Sequence, residues 1–195
     1  MEFPNKKYNI IYADPPWIFK YYSKDVKKVK DSRAPDMHYG CMTIDDIQAL
    51  PIKTICEDDA VCVMWVTYPL LKEGIATLEA WGFEYKTVAF TWVKRNKKAN
   101  TWFTGMGYYT RSNAEIAILG TRGKVLKRAN HNVPQVCDER IMEHSRKPNI
   151  IRRRIVDLFG DISRIELFCR TSPNGWDAWG NEVGLLDNAQ LSFLE

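Results

Sequence analysis

Cysteine is scarce and unpatterned in this chain. Its five copies stand at positions 41, 56, 62, 137 and 169, an odd number with no Cys-x-x-Cys spacing. They read as reduced thiols, mostly packed in a core, which argues against a disulfide framework. Histidine is scarcer still, and His38, His131 and His144 lack metal-ligand spacing, so no metal is expected. No hydrophobic run reaches the length of a membrane helix, and the N-terminus Met1-Glu2-Phe3-Pro4-Asn5 has no signal-peptide pattern. Internal repeats and linkers are also missing. The 195 residues are therefore expected to form a single domain, 1–195, in a reducing, cytoplasmic compartment.

Net charge is a mild +4, but its distribution is uneven. Lys20, Lys24, Lys27, Lys28, Lys30 and Arg33 crowd one segment beside Tyr21 and Tyr22. Lys94, Arg95, Lys97 and Lys98 crowd another beside Trp92, Trp102 and Phe103. Cations for phosphates next to rings for bases fit a nucleic-acid channel, and a solvated lysine-rich loop accounts equally well for either cluster alone.

With 45% hydrophobic residues the chain has ample material for a core. Strand signals recur at Asn9 to Ala13, Ala60 to Val66, Lys86 to Val93, Glu115 to Leu119 and Arg164 to Cys169. Leu71, Ile75 and Leu78 stand at helical spacing before Gly82, a C-capping residue. Thr43 N-caps a short helix whose first turn carries Asp45 and Asp46. Pro148 suits the N1 position of a third helix, with Ile151, Ile155, Leu158 and Phe159 on one face, Arg152 and Arg153 opposite, and Gly160 at its end. Such alternation predicts an α/β fold with a mostly parallel sheet. Lys20 to Gly40 and Lys94 to Ser112 lack periodicity and read as long functional loops that order on ligand binding.

Asp14-Pro15-Pro16-Trp17 follows the first strand directly, at the strand end where open α/β sheets keep their ligands. Two prolines fix φ and remove two backbone donors, and the first pushes Asp14 towards an extended conformation. The result is a stiff ledge of one carboxylate, carbonyls without competing N–H groups, and a flat ring. It suits a planar amino group on an aromatic body, such as adenine. Near the C-terminus, Glu166-Leu167-Phe168-Cys169-Arg170 and Trp179-Gly180-Asn181-Glu182 offer polar groups at a sheet edge that could hold ribose hydroxyls and an amino-acid moiety. A β-hairpin with buried tryptophans is the other reading of that stretch. Lys147, at a helix start, is poorly placed for stability and well placed for a carboxylate or phosphate, or is simply solvent-exposed.

These clusters, taken in order with Tyr39-Gly40-x-Met42, Trp65-Val66-Thr67, Trp92-Val93-Lys94, Glu115 with Gly120 and Ser145-x-Lys147-Pro148, resemble the MT-A70 family of S-adenosylmethionine-dependent adenine-N(6) methyltransferases. The likeness runs from about Tyr8 to Val183 and is strongest to the short bacterial and phage type. It implies a Rossmann-like methyltransferase sheet in permuted order, with the catalytic motif first and the cofactor motif last. It implies S-adenosylmethionine as cofactor, with Asp14 and Lys147 at its amino-acid end and Phe168, Arg170, Asn181 and Glu182 around its adenosine. Asp14, Pro15, Pro16 and Trp17 become the catalytic set. Tyr39 would gate the target base, with Glu115, Ser145 and Lys147 near its edge. Trp65 and Trp92 stand where the family keeps rings beside the site, although core packing explains them equally well.

The implied chemistry has a physical logic. An adenine amino nitrogen is a poor nucleophile because its lone pair is delocalised into the ring. Hydrogen bonds from its two N–H groups to Asp14 and the Pro15 carbonyl favour a pyramidal nitrogen, while stacking on Trp17 fixes the ring plane. The target must be flipped from a duplex or begin single-stranded. DNA is the expected partner, with RNA as the alternative, and pairing with a second copy or a related chain is compatible with either. A non-catalytic nucleic-acid-binding subunit is the competing class, against which the intact aspartate–proline tetrad argues. Two departures stand out. Cys169 replaces the Gly or Ala often found between the Phe and the Arg, and an upstream segment that contacts cofactor adenine in long eukaryotic members is expected to be missing.

Overall fold

The computed structural model describes residues 2–17, 42–142, 146–169 and 171–181. Seven strands form one sheet in the order β5-β3-β4-β2-β1-β6-β7. These are β1 (Tyr8–Ala13), β2 (Cys56–Val66), β3 (Glu84–Arg95), β4 (Ala114–Arg122), β5 (Val136–Arg140), β6 (Arg164–Leu167) and β7 (Asp177–Trp179). The helices are α1 (Ile44–Gln48), α2 (Leu71–Ala80) and α3 (Ile150–Phe159). The pairs β1–β2, β1–β6, β3–β5 and β6–β7 are parallel, and β4 is antiparallel to both of its neighbours. This is the expected mixed α/β fold, consistent with a Rossmann-like methyltransferase.

The near-continuous apolar runs of β1 and β2 follow from burial of both sheet faces. Ile11, Ala13, Cys62, Met64 and Val66 face one core with Ile47 of α1 and Leu78 of α2. Ile10, Tyr12, Val61, Val63 and Trp65 face the other, against Ile151 and Ile155 of α3. Each such aliphatic side chain contributes about 1.5–3 kcal/mol on full burial. Cys56, Cys62, Cys137 and Cys169 are buried free thiols, and burial pushes the pKa of Cys56, Cys137 and Cys169 up to about 11, which keeps them unreactive.

Local signals set the helix ends. The Thr43 hydroxyl accepts from the Asp46 N–H at 3.1 Å, capping α1. After α2, Gly82 adopts φ +86°, its N–H donates to the Glu79 carbonyl and the Phe83 N–H to that of Leu78, the paired bonds of a Schellman stop. Gly160 ends α3 at φ +85°. Pro148, in contrast, lies one residue ahead of the N-cap Asn149 and not at N1. Its carbonyl accepts from the Ile151 N–H at 3.1 Å, so the chain turns before the helix proper begins.

Other boundaries differ from the sequence reading. β5 and β7 were not anticipated, because three to five mixed polar residues at a sheet edge carry little periodicity. β7 is parallel to β6, which removes the hairpin alternative. β6 stops at Leu167 because Phe168 takes φ +60°. β3 extends through Arg95, shortening the expected 94–112 loop, and the Phe103 N–H returns to the Lys94 carbonyl at 2.8 Å. The Lys20 to Gly40 loop lies outside the described residues.

Gly180 is where β6 and β7 exits press together. A Cβ there would stand 2.6 Å from the Cys169 carbonyl oxygen and 2.8 Å from its nitrogen, both backbone. Gly180→Ala is expected to cost about 1–3 kcal/mol, the usual penalty of overpacking. Urea unfolding measures it, and an unchanged midpoint would mean the exits are not in contact.

Candidate active site

Asp14 sits at the C-terminal end of β1, beside the central strand β2, with its side chain 33% exposed. It is neither solvated freely nor sealed in hydrocarbon. The Lys147 ammonium lies 2.8 Å from its carboxylate. The same ammonium lies 3.4 Å from Glu115 of β4, and Glu115 in turn receives Lys94 of β3 at 2.5 Å. The β3–β4 register makes this meeting possible by pairing Trp92 with Glu115. Two cations and two carboxylates thus alternate along a chain drawn from β1, β3, β4 and the lead-in to α3.

Burial sets a cost on each ion that the neighbours exceed. Desolvation pushes the Lys147 pKa down, but Asp14 and Glu115 together hold it above its ordinary value. Desolvation pushes Glu115 up, yet Lys147 and Lys94 hold it below the usual carboxylate range. Both groups are charged at neutral pH. Lys147 also sits 5.6 Å from the centre of the Trp65 ring, a cation–π contact.

The aromatic residues pack in the core, the alternative left open for Trp65 and Trp92. Trp17 is only 7% exposed, and its indole N–H donates to the Trp65 carbonyl at 3.0 Å. Trp65 is 1% exposed and donates to the Tyr12 hydroxyl at 2.6 Å. Trp92 is buried too, with its N–H on the Glu139 carbonyl and its ring edge-on to Trp65. The stacking platform read at Trp17 and the substrate ring read at Trp65 are therefore core pillars beneath Asp14 and Lys147. Burial of a flat ring and hydrogen bonding of its N–H stabilise more than leaving the ring as an open shelf would. The ledge carbonyls also have partners. Pro15 accepts from the Trp17 N–H at 2.8 Å and Pro16 from the Met42 N–H at 3.2 Å, which locks the tetrad against the start of α1. One lone pair of the Pro15 carbonyl stays available for a second donor.

A second group of expected residues gathers at the neighbouring strand ends. Phe168 turns sharply after β6 and meets the Trp179 ring edge-on at 5.6 Å, while Phe3 stacks on Trp179 at 4.3 Å. The Trp179 indole N–H is buried without a hydrogen-bond partner among the described residues. Asn181 follows β7 on the surface. Tyr39, Ser145, Arg170 and Glu182 lie outside the described residues.

Two residues of the site escaped the sequence reading. Arg152, placed opposite the apolar face of its helix, points instead to Glu166, bonding both carboxylate oxygens at 2.5 and 2.7 Å. Glu166 is 6% exposed. This fork ties α3 to β6 and so fixes where Lys147 enters the site. Lys94 read as part of a phosphate-binding cluster, yet it serves Glu115 and lies over the Trp92 ring at 5.0 Å. The available signal was a buried-strand Glu with no charge partner nearby in sequence, which demands a cation from elsewhere.

The MT-A70 family profile matches residues 8–182. The chain is 34% identical to a Type II methyltransferase, M.MunI, of a Mycoplasma species, over 93% of this chain and 80% of that one. It is 29% identical to the human N(6)-adenosine-methyltransferase catalytic subunit METTL3 over 91% of this chain, which spans 28% of that longer protein. Human METTL4, named an N(6)-adenine-specific methyltransferase, is 25% identical over 91% of this chain and 38% of its own length.

Lys147→Met is expected to cost about 2–3 kcal/mol in urea unfolding at neutral pH. The lower part of the range for a broken buried pair applies because Lys94 remains on Glu115 and Asp14 is partly solvated. A change below about 0.5 kcal/mol would show the ammonium to be uncoupled from both carboxylates. Glu115, with its depressed pKa, contributes stability that is present above the ordinary carboxylate value and lost as pH falls through the folded value. Thermal melts against pH should therefore decline more gently on the acid side for Glu115→Gln than for the wild type, and equal acid limbs would contradict the depressed pKa.

Proposed function

The chain belongs to the MT-A70 family, and from that premise we propose that it transfers a methyl group to the exocyclic N(6) amine of adenine in DNA. The carrying observation is the Asp14 carboxylate, one-third exposed at the end of β1 and held in place by Lys147 at 2.8 Å. A carboxylate kept charged and aimed from a rigid strand end can accept an N–H of an amino group. The Pro15 carbonyl, held by its bond to the Trp17 N–H, is the companion acceptor. Together they orient the nitrogen lone pair, which is the main contribution a protein can make to an in-line displacement. The base must be extruded or single-stranded to reach them. DNA is favoured over RNA because the chain resembles a Type II methyltransferase over four-fifths of that protein's length, at 80%. It resembles the adenosine methyltransferase METTL3 over only 28%.

The donor set fits S-adenosylmethionine. The amino-acid end of that molecule carries one carboxylate and one ammonium, and Lys147 and Asp14 offer the opposite charges 2.8 Å apart. Phe168 and Asn181, with Arg170 and Glu182, would flank the adenosine, and the buried unpaired N–H of Trp179 is a donor at the same strand ends. When bound, the cofactor supplies an electrophilic methyl group. With the tetrad just after the first strand and the adenosine residues after the sixth, our reading is a permuted methyltransferase order within a single domain.

Asp14→Ala should lower methyl transfer by about a hundredfold or more, as loss of a preorganised charge-orienting group does, while the protein stays folded because that side chain is one-third exposed. The assay is transfer of labelled methyl to single- and double-stranded DNA and to RNA of matching sequence, with circular dichroism of the variant. Wild-type turnover by the variant would remove Asp14 from the chemistry. Methylation of RNA alone would move the substrate class, and binding of either without methylation would leave a non-catalytic module.

A further inference from the structure

On the α3 side of the sheet an open groove of about 1190 Å³ runs along the helix, between the 130–134 segment and the 171–176 connection from β6 to β7. Five arginines line it, Arg146, Arg152, Arg153, Arg154 and Arg164, against one carboxylate, Asp157. Three of them are engaged in holding the fold. Arg152 grips Glu166, Arg154 donates to the Pro134 and Val136 carbonyls, and Arg164 pairs with Asp161 at 2.6 Å and lies over Trp176. Arg146 and Arg153 are different. Both are exposed and neither forms an ion pair or hydrogen bond among the described residues. Two exposed guanidinium groups without partners among the described residues, beside Arg154 held only by backbone carbonyls and two arginines paired with carboxylates, leave this groove with an unbalanced positive charge.

We infer that this groove is a track for the phosphodiester backbone of DNA flanking the target adenine, with Arg146 and Arg153 as its phosphate contacts. The inference rests on the proposed function and extends it to a surface outside the charge chain. Guanidinium forks match phosphate oxygens two at a time, and the amides of Asn130, Asn132 and Asn149 along the walls add donors for phosphate or sugar. Trp176 is too buried to stack on a base, so the groove grips backbone without reading sequence. Its position fits the path of a strand. Arg146, which lines the groove, is the residue before Lys147, and the groove follows α3 from there. From Asn149 to Asp157 the helix rises about 12 Å, the axial length of about three nucleotides of a B-form strand.

The test is equilibrium binding of a labelled DNA duplex across a salt series without cofactor, for wild type, for Arg146→Gln/Arg153→Gln, and for Lys72→Gln on the far face of the sheet. The double variant should bind about tenfold more weakly at low salt, and its log–log salt slope should fall by about two. Lys72→Gln should change neither, and cofactor affinity by calorimetry should hold in all three proteins. If wild type binds DNA and the double variant matches it, the track is refuted while the methyltransferase reading stands. Loss of affinity for RNA with DNA unaffected overturns the assignment to DNA backbone, and loss of cofactor affinity instead would give the arginines to the donor. Should wild type bind no nucleic acid, the track and the function it rests on fall together.

Discussion

One ammonium, that of Lys147, organises the site. It is nearly buried, and burial alone would drive its proton off. What keeps it charged is the convergence of Asp14 and Glu115 from different strands at 2.8 and 3.4 Å. The dependence runs in both directions. Without the cation, Asp14 would lose its ionic partner and Glu115 would keep only Lys94. An acceptor that must stay ionised to orient an amino group cannot tolerate that. In the proposed reaction the ion pair is a condition for the chemistry and not chiefly a contributor to stability, for which buried pairs are weak evidence.

The surrounding structure fixes where that ammonium can be. Lys147 precedes α3, whose azimuth is set by Ile151 and Ile155 in the core and whose distance from β6 is set by the Arg152–Glu166 fork. Beneath the charges runs a line of hydrogen bonds from Trp17 to the Trp65 carbonyl and from the Trp65 ring to Tyr12. Burial and the nearby Glu166 raise the Tyr12 pKa well above its ordinary value, so it stays a neutral phenol in that line. Three aromatic residues thus form a rigid, low-dielectric floor, and the charges above it interact more strongly than they would in water.

How much of this was legible depended on range in sequence. Thr43, Gly82 and Gly160 declared helix ends through chemistry confined to a few residues, and each stands where it was read. Central strands announced themselves by apolar runs, and Asp14 by its place after one. Edge strands β5 and β7 did not, since a half-exposed strand of three to five residues lacks a period to detect. The charge chain was half visible. Asp14 and Lys147 were legible from their places at a strand end and a helix start, and Glu115 through the family likeness, but their mutual distances depend on β4 running antiparallel between β2 and β3, which no local pattern reports. The tryptophans stayed ambiguous for a related reason. Composition says that a ring is present near the site, while only packing says that Trp17 and Trp65 lie under it and not over it.

The charge count of the site bears on what it can accept. Lys94 and Lys147 offset Glu115 and Asp14, so the four groups sum to zero. An uncharged base adds nothing to that sum and enters without leaving a buried ion uncompensated, while the sulfonium of the proposed cofactor would add one positive charge. A polyanion differs. The balanced chain offers it no long-range attraction, so affinity for a phosphate backbone must arise elsewhere on the surface. The unbalanced arginines along α3 meet that requirement at the margin of the site, and Arg146 beside Lys147 marks the boundary between the two regimes. In the proposed function, separating a balanced charge chain from a basic approach would let the protein hold a phosphate backbone while keeping free phosphate charge away from the Asp14 carboxylate.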